Sequence, residues 1–227
     1  MLYTRQAVQD NLRNREGKRV FYLGKGDQLT SDAREFLTRE RIEILPAEQA
    51  KPRRFQLLGG GFTEEKPEHM THLNAQVLVR KDHPRIRFRG MIDLLEAEIL
   101  LCMEKCPGVR GQLGEILNFV RELVRCDVLE TPVRQDSLCG LTMEQLRSHS
   151  HRPQDYYGQP HFMPGADDAP EVLLVNRLRC VARQGELAAV EAFADREGNP
   201  TRVDILQAMN RVSSMLYLIM IRIKAGK

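Results

Sequence analysis

Four long stretches of apolar residues at helical spacing constrain the fold of this chain more than any other feature. In the first stretch, apolar side chains recur every three or four residues behind Pro84, a residue that suits the first turn of a helix. The pattern predicts helices over residues 84–105, 109–127, 169–196 and 202–224. Because no strand-like segment separates them, we expect a mainly α fold, a helical bundle that buries these stripes against one another.

A proline- and aromatic-rich segment, residues 152–165, precedes the third of these helices. Thr142 and Gln145 have the spacing of a capping box, which predicts a short helix just before the segment. The segment itself predicts an ordered loop that carries the apolar pair Phe162 and Met163. This pair either lines a cofactor cavity or folds onto the end of the bundle, and the residues alone leave both interpretations open.

The first 46 residues predict a small N-terminal α+β module. Its pattern alternates helix, strand, helix and strand over residues 3–15, 19–23, 31–39 and 42–45. The next segment is predicted to be a linker because it contains prolines, charges and three consecutive glycines. The predicted organisation is therefore a module at 1–46, a linker at 47–67 and a helical-bundle domain at 68–227.

Composition and charge exclude several classes of protein. The net charge of +3 is small and both signs are interspersed, so no strongly basic surface for nucleic acid is expected. The most apolar run, residues 215–221, is too short to cross a bilayer, so no membrane segment is expected. Five cysteines without a CxxC pair, in a chain that begins without a secretory signal, predict free thiols in the cytoplasm.

A charged stripe on the third long helix has two interpretations. Arg179, Arg183 and Glu186 stand at i, i+4 and i+7, so a helix places them on one face. Such a stripe is either a solvated surface or a clamp for a polyphosphate, since the planar guanidinium matches phosphate oxygens. On the last helix, Asn210 lies amid apolar neighbours and needs hydrogen-bond partners, which a ligand can supply.

Two pairs of histidines are candidate metal ligands, namely His69 with His72 and His149 with His151. Neither pair has a cysteine or a carboxylate at the spacing of a recognised metal site. We therefore expect no protein-ligated metal in this chain.

Several spaced motifs follow one another along the chain. They are Lys81-Asp-His-Pro-Arg85, Gly90 with Asp93, Arg179 with Arg183 and Glu186, and the segment Asp204 to Ser214. In this order they resemble the ATP:cob(I)alamin adenosyltransferases, typified by the propanediol-utilisation enzymes. Segments 29–37, 66–73 and 204–208 resemble the ethanolamine-utilisation branch more closely, and the resemblance covers nearly the whole chain.

The resemblance implies a reaction and its partners. Cob(I)alamin attacks the 5′ carbon of ATP, expels triphosphate in the presence of Mg²⁺ and becomes adenosylcobalamin for ethanolamine ammonia-lyase. A cob(II)alamin reductase would supply the reduced substrate. The family implies ATP binding between subunits of a homotrimer, with a dimer as the alternative, in the cytoplasm or inside a bacterial microcompartment.

The resemblance also assigns roles to residues of this chain. The residues expected to hold ATP are Arg179, Arg183, Glu186, Asn210, Lys81 and Thr71. Arg179 is further expected to pair with Asp93 across a subunit interface. Phe162, with Met163 second, is the candidate for the apolar residue that excludes the lower axial ligand of cob(II)alamin. Without that ligand, the four-coordinate cobalt is easier to reduce.

The chain departs from the family pattern at a few positions. Residues 64–70 stand where the family has a glycine-rich phosphate loop. Gln184 replaces the second arginine of an Arg-Arg pair, and Ser214 replaces an acidic residue. Some members of the ethanolamine branch carry a cysteine-rich metal loop, but this chain has no cysteine before Cys102, so we expect that Cys-ligated metal to be missing.

Two rival functions from other classes remain open at this point. One is a non-catalytic carrier that binds adenosylcobalamin or ATP and delivers it to the lyase. The other is a microcompartment interaction protein, a helical scaffold that docks through the N-terminal module.

Overall fold

The chain forms two units, Met1–Arg54 and Phe55–Lys227. This computed structural model describes residues 1–15, 17–50 and 54–226. The division falls after Arg54, inside the segment 47–67 that the sequence predicts to be a linker. Residues 51–53 of that segment lie outside the described residues, and its last part forms strands of the second unit.

The first unit is a small α+β module, as the residue pattern predicts. Its strands are β1 (Leu2–Tyr3), β2 (Arg13–Arg15), β3 (Lys18–Leu23), β4 (Gln28–Leu29) and β5 (Glu43–Pro46), and its helices are α1 (Arg5–Asp10) and α2 (Ser31–Arg39). Strands β3 and β5 pair in parallel, β2 pairs antiparallel with β3, and β1 pairs in parallel with β4. Helix α2 begins where the Thr30 hydroxyl accepts a hydrogen bond from the backbone N–H of Ala33 at 3.3 Å.

The helix predicted over residues 3–15 is wrong beyond its first turns. Helix α1 ends at Asp10, and the side-chain amide of Asn11 donates to the carbonyl of Ala7 at 2.8 Å. The chain then turns, and β2 pairs with β3. The segment has no apolar stripe to hold a longer helix, so pairing with a neighbouring strand decides its conformation.

The second unit opens with a sheet that the sequence analysis does not predict. Its strands are β6 (Phe55–Leu57), β7 (Phe62–Thr63), β8 (Met70–His72) and β9 (Val77–Arg80), in the order β7-β6-β9-β8. Strands β6 and β9 are parallel, and the outer pairs are antiparallel. Such short strands carry too few residues for a period of two to be visible in the sequence.

A bundle of helices follows the sheet. The helices are α3 (Pro84–Lys105), α4 (Arg110–Val128), α5 (Met143–His151), α6 (Pro153–Tyr157), α7 (Pro170–Ala192) and α8 (Val203–Lys224), and a hairpin of β10 (Ser137–Leu138) and β11 (Leu141–Thr142) lies between α4 and α5. The bounds of α3 agree with the prediction, and Thr142 with Gln145 forms the predicted capping box. None of the helices that the structure describes is long and apolar enough to span a membrane.

Two helical predictions need correction. Helix α7 stops at Ala192 rather than near residue 196, because Phe193 is buried and its carbonyl accepts from the N–H of Thr201 in a tight return of the chain. Helix α6 lies within the segment predicted as a loop, and Gly158 ends it in the left-handed conformation.

The core of the bundle lies where α7 packs between α3 and α8. The apolar stripe of α3 is fully buried and consists of Phe88, Ile92, Leu95 and Ile99. Helix α8 is buried on most of its sides. A Cβ added at Gly185 of α7 would lie 2.9 Å from the terminal methyl of Met209, so this glycine allows α7 and α8 to approach closely. The close approach sets which side chains of the two helices face each other.

A buried ion cluster fixes the start of α3 against α4 and the preceding sheet. Asp127 is fully buried, and its carboxylate accepts from Nε of Arg85 at 2.8 Å and from Nε of Arg89 at 2.6 Å. A second nitrogen of Arg89 donates to the carbonyl of Leu73 at 2.7 Å. Arg85 is the last residue of the motif Lys81-Asp-His-Pro-Arg85, so one residue of that motif has a role in packing.

Candidate functional site

A cavity of about 510 Å³, the α7–α8 cavity, opens between these two helices, the end of α5 and the loop before α7. Its α8 wall consists of Asn210, Ser213, Ser214 and Tyr217, which stand at i, i+3, i+4 and i+7 and so share one face. The hydroxyls of both serines donate to the carbonyl of Asn210 at 3.0 Å. This wall is a polar stripe on the most buried helix of the bundle.

The opposite wall carries the two arginines that the sequence analysis selected. Arg179 and Arg183, one turn apart on α7, both line the cavity. Arg179 is half-buried, lies over the ring of Tyr217 at 5.6 Å and donates to the side-chain oxygen of Asn176 at 3.3 Å. Arg183 is exposed, and no ion pair or side-chain hydrogen bond to another described residue occupies its guanidinium. The wall therefore offers positive charge and free N–H donors to an anion.

Glu186 lies next to this wall and orients Asn210. Its carboxylate accepts from the side-chain amide of Asn210 at 2.9 Å. The amide oxygen of Asn210 accepts from the guanidinium of Arg211, so partners on both sides fix which way the amide points. Glu186 does not itself line the cavity.

The loop that carries Phe162 and Met163 forms the third side of the cavity. Phe162 is half-buried against the bundle, and its ring lies 6.3 Å from that of Tyr217 and 4.5 Å from the ammonium of Lys224. Met163 is 90% exposed. Phe162 thus packs on the bundle and also lines the cavity, whereas Met163 contributes an exposed apolar side chain.

Tyr217 and His161 fasten this loop. One ring nitrogen of His161, Nε2, lies 3.1 Å from the carbonyl of His151, and a carbonyl only accepts, so Nε2 carries the proton. Nδ1 lies 2.9 Å from the hydroxyl of Tyr217, within hydrogen-bond distance, and the same hydroxyl accepts from the N–H of Phe162 at 3.4 Å. The position of Phe162 is therefore set by side chains of the bundle.

Asp168 secures the far end of the loop. Its carboxylate pairs with the ammonium of Lys224 at 2.5 Å and accepts from the N–H of Gly165 at 2.8 Å. The hydrogen bond from Lys224 and then that from Gly165 hold the pKa of Asp168 below its usual value. The carboxylate therefore stays charged at neutral pH and ties the loop to the last turn of α8.

Three residues assigned to the site lie elsewhere in the chain. Thr71 on β8 pairs with Val79 of β9, and Lys81 follows β9, its N–H donating to the carbonyl of His69 at 2.9 Å. Asp93 is exposed on α3 and forms no ion pair within the described residues. The structure thus brings together Arg179, Arg183, Asn210, Phe162 and Met163, and leaves Thr71, Lys81 and Asp93 outside the α7–α8 cavity.

Comparison with known proteins places this geometry in a family. Residues 61–223 match the family described as cobalamin adenosyltransferase. The chain belongs to the cobalamin adenosyltransferase family. Proteins named corrinoid adenosyltransferase EutT, from Escherichia coli strain K12 and Salmonella typhimurium strain LT2, are each 34% identical to it over 158 residues, which is 69% of this chain and 59% of the relative. The chain therefore spans about 59% of the length of these curated relatives.

The family membership confirms two predictions from the sequence. The resemblance to the adenosyltransferases is confirmed, and so is the mainly α fold with small strands. The matched region contains every residue that lines the α7–α8 cavity, and it excludes the first 60 residues.

The residues that sequence reasoning missed in this member of the family are mostly on α8. Tyr217 contacts Arg179, Phe162 and His161, yet it was not a candidate. A signal was present, because Tyr217 lies two turns after Asn210 and continues its polar stripe in the most apolar helix. No comparable signal marks His161, whose role depends on contacts with residues far along the chain.

The two candidate histidine pairs, His69 with His72 and His149 with His151, gain no third ligand from the described residues. Among residues 1–15, 17–50 and 54–226, no group of three or more His, Cys, Asp or Glu side chains is placed to hold a metal ion. His149 instead stacks on Tyr156, with ring centroids 3.7 Å apart, and its Nδ1 lies 2.8 Å from the hydroxyl of Tyr157. In this member of the family, that histidine serves the packing of α5 against α6.

Proposed function

We propose that this protein transfers the 5′-deoxyadenosyl group of ATP to the cobalt of cob(I)alamin, with release of triphosphate. The observation that carries the proposal is the α7–α8 cavity of a cobalamin adenosyltransferase, in which Arg179 and Arg183 face an apolar loop. The cobalt supplies the electron pair of the new bond, and the bond from the 5′ carbon to oxygen breaks with its pair on the triphosphate. The protein's task is to hold both reactants and to neutralise the leaving group.

ATP is held by the arginine wall in this proposal. Arg183 has N–H donors free of partners among the described residues, so it is the main contact for the phosphates. Asn210, oriented by Glu186, contacts the nucleoside. Glu186 acts on ATP through its hydrogen bond to Asn210, and Mg²⁺ is held by phosphate oxygens and water.

A neighbouring subunit completes the site. Thr71 and Lys81 lie outside the cavity of their own chain, and Asp93 is exposed without an ion pair among the described residues. We infer that Thr71 and Lys81 contact the phosphates bound to an adjacent protomer and that Asp93 pairs there with Arg179. The assembly is a homotrimer in this proposal, with a dimer as the alternative.

Phe162 excludes the lower axial ligand of the corrinoid. Its ring is held by Tyr217 and Lys224 at the edge of the cavity, so it is placed before the substrate enters. Met163, which is 90% exposed, adds apolar surface beside it. A cob(II)alamin reductase supplies the electron, ethanolamine ammonia-lyase accepts the product, and the site of action is the cytoplasm or a microcompartment.

One assay tests the function. The protein is mixed with ATP, Mg²⁺ and chemically reduced cobalamin, and the absorption spectrum of adenosylcobalamin is followed. The expected result is stoichiometric loss of ATP with formation of the product and of triphosphate. ATP binding without product would favour the carrier, and absence of binding of either substrate would favour the scaffold.

A further inference from the structure

A second cavity, of about 480 Å³, lies between α5 and α8 and has a positively charged lining. Arg147 and Arg152 reach it from α5 and its C-terminal end, and Arg211 reaches it from α8. Glu144 is the acidic residue of the lining, so the arginines exceed the carboxylates by two. This α5–α8 cavity therefore has an excess of positive charge that an anion would balance.

Arg211 gives the stronger indication, because it places a buried positive charge in the wall of this cavity. Its side chain is only 7% exposed, and its Nε has no hydrogen-bond partner among the residues that the structure describes. Burial, and then repulsion by Arg147, lowers the pKa of Arg211. Burying this positive charge costs free energy, and an anion bound in the cavity would offset part of that cost.

The α5–α8 cavity adjoins the α7–α8 cavity on the side of the apolar loop. His151 lines both cavities, and its carbonyl accepts from His161, the residue before Phe162. Arg211 itself donates to the side chain of Asn210 in the wall of the first cavity. An anion in the second cavity would therefore lie next to a substrate bound beside Phe162.

Cobalamin carries such an anion. Its lower axial base is attached to the corrin ring through a nucleotide loop that contains a phosphodiester. When Phe162 occupies the lower face of the cobalt, the base and its loop must leave that face. We propose that the α5–α8 cavity binds the phosphodiester of this displaced nucleotide loop through Arg147, Arg152 and Arg211. This proposal rests on the proposed function and assigns a further part of its substrate.

The triphosphate of ATP has related chemistry and is the other possible source of the anion. The positions of the side chains favour the corrinoid, because Arg179 and Arg183 in the first cavity are the residues proposed to bind the triphosphate. The second cavity is instead lined by His151, whose carbonyl accepts a hydrogen bond from His161 in the loop proposed to face the corrinoid. The experiment below separates the two sources.

The test compares two corrinoids in a variant that carries Arg147→Gln and Arg152→Gln. Both side chains are exposed and neither belongs to the proposed ATP site, so the fold should survive. The KM for cob(I)alamin should rise about tenfold, as expected for the loss of charge-assisted hydrogen bonds. The KM for reduced cobinamide, which lacks the nucleotide loop, and the KM for ATP should each change by less than about twofold.

The matched control carries Arg110→Gln and Arg134→Gln, two exposed arginines outside both cavities. It has the same change in net charge and should leave all three KM values unchanged. An equal rise for cobalamin and cobinamide, a rise in the KM for ATP, or no change at all would each overturn the proposal.

Equilibrium binding separates this proposal from the proposed function. Cob(II)alamin and cob(II)inamide are titrated by absorbance into the unsubstituted protein and into both variants, which requires no turnover. Preferential loss of cob(II)alamin binding in the Arg147→Gln, Arg152→Gln variant supports the anion site even if adenosyl transfer fails. Transfer to both corrinoids without any preference lost in the variant supports the function and overturns the site.

Discussion

The bundle contains two arginine clusters, one around Asp127 and one that lines the α5–α8 cavity, and they differ in how the chain uses their hydrogen bonds. Around Asp127, the guanidinium groups of Arg85 and Arg89 donate to a carboxylate and to backbone carbonyls of the same unit. Arg211 donates to Asn210 but keeps a buried Nε without an acceptor in the described residues. The first cluster therefore serves stability, whereas Arg211 and the exposed Arg183 are the arginines proposed to bind a ligand.

The largest expected effect is on stability, at the centre of the satisfied cluster. Asp127→Ala leaves two arginines without their buried carboxylate, and losing one partner of a buried ion pair costs about 3–5 kcal/mol. We expect the free energy of unfolding, measured by urea denaturation, to fall by about that amount. A decrease in the free energy of unfolding of less than about 1 kcal/mol, typical of an exposed ion pair, would mean that the Asp127 cluster does not serve stability.

A matched control is the exposed pair of Arg80 and Asp82, whose closest nitrogen and oxygen lie 2.6 Å apart. Water already solvates both groups, so Asp82→Ala should leave the urea midpoint essentially unchanged. If both variants unfolded equally easily, burial would not be what distinguishes the two ion pairs.

The second prediction concerns Arg183, whose loss is expected to lower activity rather than stability. Arg183→Ala removes N–H donors that form no hydrogen bond to another described side chain and that are proposed to bind the phosphates of ATP. We expect kcat/KM for ATP to fall about a hundredfold, the loss typical of one group that stabilises a developing charge. The urea midpoint should remain that of the unsubstituted protein.

Arg177→Ala is the control on the same helix. Arg177 is exposed and pairs with Glu98 at 2.6 Å, outside the α7–α8 cavity. Its loss should leave kcat/KM for ATP unchanged. Near-normal turnover of the Arg183→Ala variant would mean that its free donors belong to a solvated helix face.

The third prediction concerns how the free energy of unfolding depends on pH through the carboxylate of Asp204. Burial raises the pKa of Asp204, but hydrogen bonds from Arg202 and from the N–H of Val133 outweigh it and bring the pKa to about 2. Since this lies below the usual value near 3.8, the carboxylate contributes stability above about pH 4 and loses it as the pH falls toward 2. The full contribution is about 2 kcal/mol.

The measurement is the free energy of unfolding of the protein and of Asp204→Asn between pH 7 and pH 2. The difference between the two should be constant at neutral pH and disappear as the acid limit is approached. A difference that stays constant over the whole range would mean that Asp204 contributes packing rather than charge.

The sequence predicted long elements well and contacts between them poorly, for a physical reason. The stripe behind Pro84 is repeated over six turns of helix, so it specifies α3 by itself. The strands near Thr71 contain two to four residues and depend on pairing with distant segments. The contact of Glu186 with Asn210 depends on how α7 sits on α8, which Gly185 determines through its approach to Met209.

The candidate site shows the same division. Arg179, Arg183, Asn210 and Phe162 were found from motifs that lie on single elements, and the structure brings them to one cavity. The unsatisfied Nε of Arg211 was not predictable, because a donor lacks a partner only with respect to everything packed around it. Whether a donor has an acceptor depends on the tertiary structure, and this is the property by which the two arginine clusters differ.

The smallest expected effect concerns the loop that carries Phe162 and Met163 beside the α7–α8 cavity. Phe162→Ala removes the ring that Tyr217 and Lys224 hold at the cavity edge. Transfer to pre-reduced cob(I)alamin should change by less than about twofold, whereas the rate with cob(II)alamin and a reductase should fall about tenfold, equivalent to about 1.4 kcal/mol. Met163→Ala, at the adjacent 90% exposed position, should lose less in the reductase assay. Equal losses of the Phe162→Ala variant in both assays would assign Phe162 to packing, and the displaced nucleotide loop would then have no cause to enter the α5–α8 cavity.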